Sequence, residues 1–307
     1  MFYIVNVRAL VHTSTMSAAS GIIECFLRLS GASKPVSQKT FYKMMRRSAV
    51  KNKRSEKRAP RFLGVRVEKE VYCGMPYFVF VPREVDTAKC VMYLHGSGYV
   101  NAYRRAQVKF AARIAKNTHA KVYFPLYAKL PFSSAVPCFA LLNNYYAFLK
   151  KKGEVCLVGD SSGAALALSL AAEHPSAKKV VAISPWLRLS IGEEGRKVKS
   201  DKMLSFSKLD YAAALWREGT SETDVRVSPI YGEYAGKNIL LFAGEKEIFR
   251  PDAQAFFREK SKSGATVTYV EGQAQQHCFP LMATPEGAQA QKEVFNKIRA
   301  YLYGAAK

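Results

Sequence analysis

A chain of 307 residues is long enough for one large α/β domain with an appendage and short for two equal domains. Its 49% hydrophobic and 12% aromatic content supplies a buried core and excludes a wholly disordered or fibrous protein. Lys and Arg number 47 against 24 Asp and Glu, a balance of +23 that raises nucleic acid, an anionic surface or an acidic substrate as partners without naming a reaction.

The first fifteen residues lack the charged n-region of a secretory signal, and Met16-Ser17-Ala18-Ala19-Ser20 reads like an ordinary protein start, so Met1–Thr15 reads as an upstream extension. Residues 1–61 hold 13 bases and 2 acids, a net +11, while the remaining 246 hold 34 and 22, a net +12. Nine of those bases fall between Lys43 and Arg61, a run that ends at Ala59-Pro60 and reads as a solvated helix face and linker. It lacks the aromatic interleaving of a nucleic-acid module, so no specific nucleic-acid partner is expected, only a weak attraction to anionic surfaces. No stretch reaches the 18 or so uninterrupted apolar residues of a membrane helix, because Arg8 and His12 break the first candidate and Glu173-His174 ends the one near Ala164. The six scattered cysteines form no close pair suited to zinc or redox chemistry, which makes the cytoplasm the default location.

Phe62–Tyr72 and Tyr77–Val81 flank Cys73-Gly74-Met75-Pro76 and predict an opening β-hairpin. Short apolar runs follow at Val91–Leu94, Val122–Phe124, Val155–Val158, Val180–Ile183, Ile239–Ala243 and Val267–Val270, as expected of strands buried on both faces of a parallel sheet. Helix-like segments near 104–116, 135–150, 162–174, 251–262 and 286–303 alternate with them, giving an α/β class with right-handed crossovers. About 50 residues separate Ser184-Pro185 from Asn238, so an insertion sits there, with a helix over Leu209–Trp216 and a charged loop over Gly192–Lys202. Following a strand, it is placed to roof a site at the carboxyl edge of the sheet.

Gly159-Asp160-Ser161-Ser162-Gly163 lies between a strand and a small-residue helix, the context in which G-x-S-x-G projects a nucleophilic serine. The turn lifts the Ser161 hydroxyl over the sheet, and the Ser162 amide at the helix N-terminus faces whatever carbonyl Ser161 attacks. His95-Gly96-Ser97-Gly98-Tyr99 leaves the strand Val91–Leu94 at the same edge. The amides of Ser97 and Gly98 are candidate oxyanion donors, with His95 and Gly96 organising the loop. The base is His277, the only histidine after His174 and just past the last strand; His12, His119 and His174 read as structural or surface residues. The acid lies in Gly244–Asp252, where the order of preference is Glu247, then Asp252, then Glu245.

Together these segments resemble the hormone-sensitive-lipase-like family of α/β-hydrolases from about Val81 to the C-terminus. His95–Tyr99 is similar to its HGGG loop, Gly159–Gly163 to its GDSAG elbow, Ser184-Pro185-Trp186 and Val227–Tyr231 to its SPW and VSP-x-Y flanks, and His277-Cys278-Phe279 to its HGF. Gly244–Asp252 is similar to its G-x-x-D-x-L-R-D segment, which sets Glu247 on the triad acid. Ser97 replaces a glycine and Glu247 an aspartate, and Tyr127–Ala135 matches the family's YRLAPE segment only loosely. The resemblance implies an α/β-hydrolase fold, a mostly parallel central sheet flanked by helices over 59–186 and 235–307, with a helical cap from 16–58 and 187–234. It further implies hydrolysis of a small-molecule ester of short to medium acyl chain by a Ser-Glu-His triad without metal or cofactor. An amidase, deacetylase or thioesterase on the same triad, a non-catalytic ligand-binding member of the fold, and a homo-oligomer stay open.

Overall fold

The structure, a computed structural model, describes residues 9–12, 16–62 and 64–304. Of the segment read as an upstream extension, residues 1–8 and 13–15 lie outside these. Ala9–His12 (β1) pairs in parallel with the last strand of the sheet. Two helices follow, each started by a serine whose side chain accepts a backbone amide of the first turn: α1 (Ala18–Ser30) under Ser17 and α2 (Gln38–Ser55) under Ser37. In α2, Phe41, Met45, Ala49 and Asn52 are buried at helical spacing, and all nine bases from Lys43 to Arg61 are exposed. In α1, Ile22, Phe26 and Leu29 face outward.

The hairpin is formed by β2 (Val65–Tyr72) and β3 (Met75–Pro82), joined by Cys73 and Gly74, both with positive φ as a tight type I′ turn requires. The alternation then runs β4 (Asp86–Leu94), α3 (Arg105–Thr118), β5 (Ala120–Pro125), α4 (Ala135–Lys152), β6 (Glu154–Asp160), α5 (Ser162–Glu173) and β7 (Lys179–Ile183). The insertion carries α6 (Glu193–Lys197) and α7 (Phe206–Arg217), after which β8 (Asn238–Gly244), α8 (Arg250–Lys262), β9 (Thr266–Gly272) and α9 (Pro285–Tyr303) complete the chain. Every predicted strand and helix is present; most are longer by one to a few residues, whereas the first hairpin strand, expected over Phe62–Tyr72, begins only at Val65, and α5 ends at Glu173, one residue early. The exception is Gly192–Lys202, expected as a loop, where α6 forms. Glu193 and Glu194 in its first turn and Arg196 and Lys197 in its last complement the helix dipole, which a reading of charge as loop overlooks.

The nine strands lie in the order β1-β9-β8-β7-β6-β4-β5-β3-β2, and among the described residues only β3 runs against the rest. Side chains alternate across the sheet. Met92 and Leu94 join α4, α5 and α8 in one core, while Val91 and Tyr93 join α3 and α9 in the other. Central strands such as Val155–Val158 are buried throughout, each side chain contributing about 1.5–3 kcal/mol. From β4 the chain steps to β5 on one side and then to β6 on the other. The carboxyl ends of β4 and β6 therefore flank the point where strand order reverses, where α/β sheets open a crevice.

The two peripheral segments meet over this crevice. Ser207 and Ser205 of the insertion bind the backbone of Val36 and Lys34, and Lys208 Nζ donates to Ala32 O at 2.7 Å. Phe41 of α2 packs on Tyr211 of α7 with ring centroids 5.5 Å apart. All six cysteines are free, only Cys25 and Cys73 being exposed. No helix among the described residues is long and apolar enough to cross a membrane.

Candidate active site

Ser161 stands between β6 and α5 with φ 55° and ψ −125°, a backbone conformation that few non-glycine residues adopt. Two contacts fix the elbow: Ser161 N donates to Ile183 O at 2.8 Å, and α5 packs against the end of β4 so closely that a Cβ on Gly163 would lie 2.1 Å from Leu94 O. Glycine is obligatory at that crossing, and the strained turn lifts the serine over the sheet edge.

His277 Nε2 is 3.0 Å from Ser161 Oγ, and its Nδ1 is 2.9 Å from Glu247 Oε2. Both partners of the second contact are buried, Glu247 completely. Burial pushes the Glu247 carboxyl up, against hydrogen bonds from His277 and Ser184 that pull it down. Burial also works against a protonated His277. The Cys278 sulfur, 3.4 Å from Nε2, and the Glu247 carboxylate outweigh it, so the His277 pKa lies above the ordinary imidazole value. The other two carboxylates point elsewhere: Asp252 pairs with Arg188 Nε at 3.3 Å, and Glu245 accepts the Ala274 amide at 2.6 Å. Of the three carboxylates in this loop, Glu247 is the one brought to the histidine. His119 is exposed, His174 bonds Asn143 at the opposite end of α5 from Ser161, and the side chain of His12 lies outside the described residues.

The loop after β4 is held from behind. His95 is fully buried and stacks between Phe124 and Tyr127 at 5.2 and 4.8 Å, and its desolvation depresses its pKa, which keeps the ring neutral. Its carbonyl accepts Tyr127 OH at 2.6 Å. Asp160, the second residue of the elbow, accepts Tyr93 OH and Gln107 Nε2, each at 2.7 Å, and Gln107 also donates to Gly96 O. A Cβ on Gly96 would meet Asp160 Oδ2 at 2.3 Å, so the loop can lie against the elbow only with glycine there. Ser97 N and Gly98 N both donate to Ser162 Oγ at 3.0 Å. The two candidate oxyanion amides thus converge, but on a side-chain hydroxyl. The only cue in the sequence is Ser162 where the GDSAG motif has alanine.

Sequence reasoning set the insertion over the site but missed how it braces the catalytic loops. Asp201, in the stretch read as a charged loop, accepts Met203 N, Leu204 N and Ile248 N at 2.8, 2.9 and 3.0 Å, and so ties the insertion to the residue after Glu247. Beside it, Gln276 accepts Lys202 N and donates to Ser200 O, tying down the residue before His277. Asp201→Ala leaves three amides without their acceptor, and urea unfolding is expected to show a loss of about 2–4 kcal/mol. A second brace is aromatic. Tyr99, at positive φ, stacks on Trp216 of α7 at 4.2 Å and on Trp186 at 5.3 Å, and Trp186 stacks on Phe249 at 5.6 Å. Trp216→Ala is expected to cost about 3–5 kcal/mol in the same measurement, since it empties a fully buried site under the oxyanion loop.

Above these groups lies a pocket of about 490 Å³ lined by Ser97, Gly98, Ser161 and His277 at its floor. Phe41 and Met44 of α2 and Leu204, Leu209 and Ala212 of the insertion form its largely apolar walls. The arrangement can deprotonate a serine and hold the resulting imidazolium against a buried carboxylate at the floor of a cleft with largely apolar walls.

A sequence profile of the alpha/beta hydrolase fold matches residues 91–281. The chain is 26% identical over 220 residues to an acetyl-hydrolase of Streptomyces hygroscopicus, covering 66% of this chain and 72% of that one. It is 26% identical over 198 residues to an esterase of Acinetobacter venetianus, covering 59% of this chain and 64% of the relative. Among solved structures, an esterase of the bacterial hormone-sensitive lipase family superposes with a TM-score of 0.80 at 20% identity, covering 93% of this chain and 99% of the other, a likeness of fold.

Proposed function

Since the chain belongs to the α/β-hydrolase fold family, we propose that it is a serine hydrolase of carboxylic esters working through Ser161, His277 and Glu247. The observation that carries this reading is the continuous relay from Ser161 Oγ through His277 to the buried Glu247 carboxylate, at 3.0 and 2.9 Å. His277 takes the Ser161 proton as the hydroxyl oxygen attacks the ester carbonyl; the tetrahedral oxyanion is held by the amides of Ser97, Gly98 and Ser162 and by the N-terminus of α5. Collapse expels the alcohol, protonated by His277, and leaves an acyl-Ser161. Water deprotonated by His277 then releases the acid, with Glu247 holding the ring in one tautomer and stabilising its charge throughout.

A pocket of about 490 Å³ with apolar walls suits a short to medium acyl chain, a reading supported by the acetyl-hydrolase among the relatives. We read residues 16–58 and 187–234 as the two parts of a cap, because α2 and the insertion supply the pocket walls and bond to each other. The test is a kinetic panel of aryl esters of rising acyl length, aryl amides and acyl-thioesters. Ester hydrolysis that peaks at short to medium length and exceeds amide hydrolysis at matched acyl groups is the expected result. A preference for amides or thioesters would replace the proposed substrate class.

A further inference from the structure

We propose that the Ser162 hydroxyl is a built-in cap on the oxyanion hole, holding the amides of Ser97 and Gly98 in the free protein and releasing them to a substrate oxygen that enters from the pocket. The inference rests on the ester-hydrolase reading for its kinetic consequence and on geometry alone for the cap itself. Ser97 N and Gly98 N each lie 3.0 Å from Ser162 Oγ. An amide carries one hydrogen, so neither is free for a substrate while both are spent on this oxygen, and the two lone pairs of the hydroxyl are filled in turn. Ser162 has no exposed surface, whereas Ser97, Gly98 and Ser161 line the pocket. The hydroxyl therefore meets the loop from the α5 side and draws both amide hydrogens toward itself. Its backbone is fixed in the first turn of α5, but its side chain has one torsion, and rotation to another staggered well releases both amides together.

The exchange is uneven between ground and transition states. A neutral ester carbonyl offers the amides little more than the neutral hydroxyl already does, while a developing oxyanion forms charge-assisted bonds that the hydroxyl cannot match. The cap therefore holds back binding of uncharged carbonyl compounds and yields as charge develops on the oxygen. The alanine that the resembling motif has at this position would leave the hole permanently open.

Ser162→Ala is the test, read in two ways. In the free protein, amide NMR resonances of Ser97 and Gly98 are expected to move upfield and exchange faster with solvent than in wild type; unmoved resonances would overturn the cap whether or not the chain hydrolyses esters. In kinetics, kcat/KM for the best ester is expected to rise about tenfold, with a matching gain in affinity for a trifluoromethyl ketone that forms a tetrahedral adduct, because two hydrogen bonds no longer have to be broken first. A fall of tenfold or more, or no change, would overturn it, since the hydroxyl would then be serving the oxyanion as a donor or be irrelevant to it. A wild type inactive on every ester would sink the ester reading while the NMR result still decided the cap.

Discussion

Alanine in place of Ser161 is expected to lower kcat/KM for the best ester by a factor on the order of 10⁶, leaving the residual acceleration that an oxyanion site and binding supply on their own. The fold should be untouched, because the residue contributes no side-chain packing beyond its hydroxyl and alanine tolerates the elbow's φ of 55° no worse than serine does. Glycine in the same position separates the two roles. Activity would be lost as in Ser161→Ala, while thermal stability rises by roughly 1 kcal/mol as the strain at positive φ is relieved. A Ser161→Ala protein that retains more than a few per cent of wild-type activity, after contaminating esterases are excluded by fluorophosphonate pretreatment, would remove the nucleophile from this account.

Glu247→Gln should produce the second largest effect and carries its own signature in pH. The amide fills the same volume but offers no charge to the imidazolium, and it can present an N–H where His277 Nδ1 needs an acceptor; a loss of about 10⁴ in kcat is expected. The ascending limb of kcat/KM reports protonation of the free base. Because Cys278 and Glu247 together hold the His277 pKa above its ordinary value, the wild-type limb should have its midpoint above about pH 6.5, with activity present above it and lost below. Removing the carboxylate takes away one of the raising influences, so the limb in Glu247→Gln should move to lower pH even as the plateau falls. A limb that stays put, or a loss smaller than tenfold, would transfer the acid role elsewhere. Asp252 is a poor heir, since Arg188 already holds it.

The sheet was legible in the sequence because its inner strands are short, uninterrupted apolar runs ended by glycine or proline, a pattern that burial on both faces imposes. The elbow was legible for a related reason: Gly163 sits where α5 crosses the end of β4, and Gly159 where β6 meets the first turn of α5, each too closely for a side chain. His277 followed by elimination, and its loop position at the end of β9 agrees with the geometry. Glu247 was separable from Asp252 and Glu245 only by preference, because three carboxylates within eight residues differ in where a loop turns back, and no periodicity records that.

Asp201 shows the limit more sharply. In a run of mixed charge it looks like solvated surface, yet it is buried against three amides whose convergence is a tertiary fact. The same holds for Ser162, whose type departs from the motif by one oxygen and whose significance depends on the direction of one torsion. The aromatic chain from Trp216 through Tyr99 and Trp186 to Phe249 joins residues about 150 positions apart and has no local signature at all. The net charge, the most conspicuous property of the sequence, bears least on the site: the bases of α2 cover its exposed face while Phe41 and Met44 of the same helix turn toward the pocket.

The central claim is that Ser161 is the activated nucleophile of a working hydrolase. Intact-mass measurement of the full-length protein after treatment with a fluorophosphonate, followed by peptide mapping, tests it most directly. A single adduct is expected, carried by Ser161 and absent from Ser161→Ala; a protein that stays unmodified, or a label found on another residue, would contradict a nucleophilic Ser161.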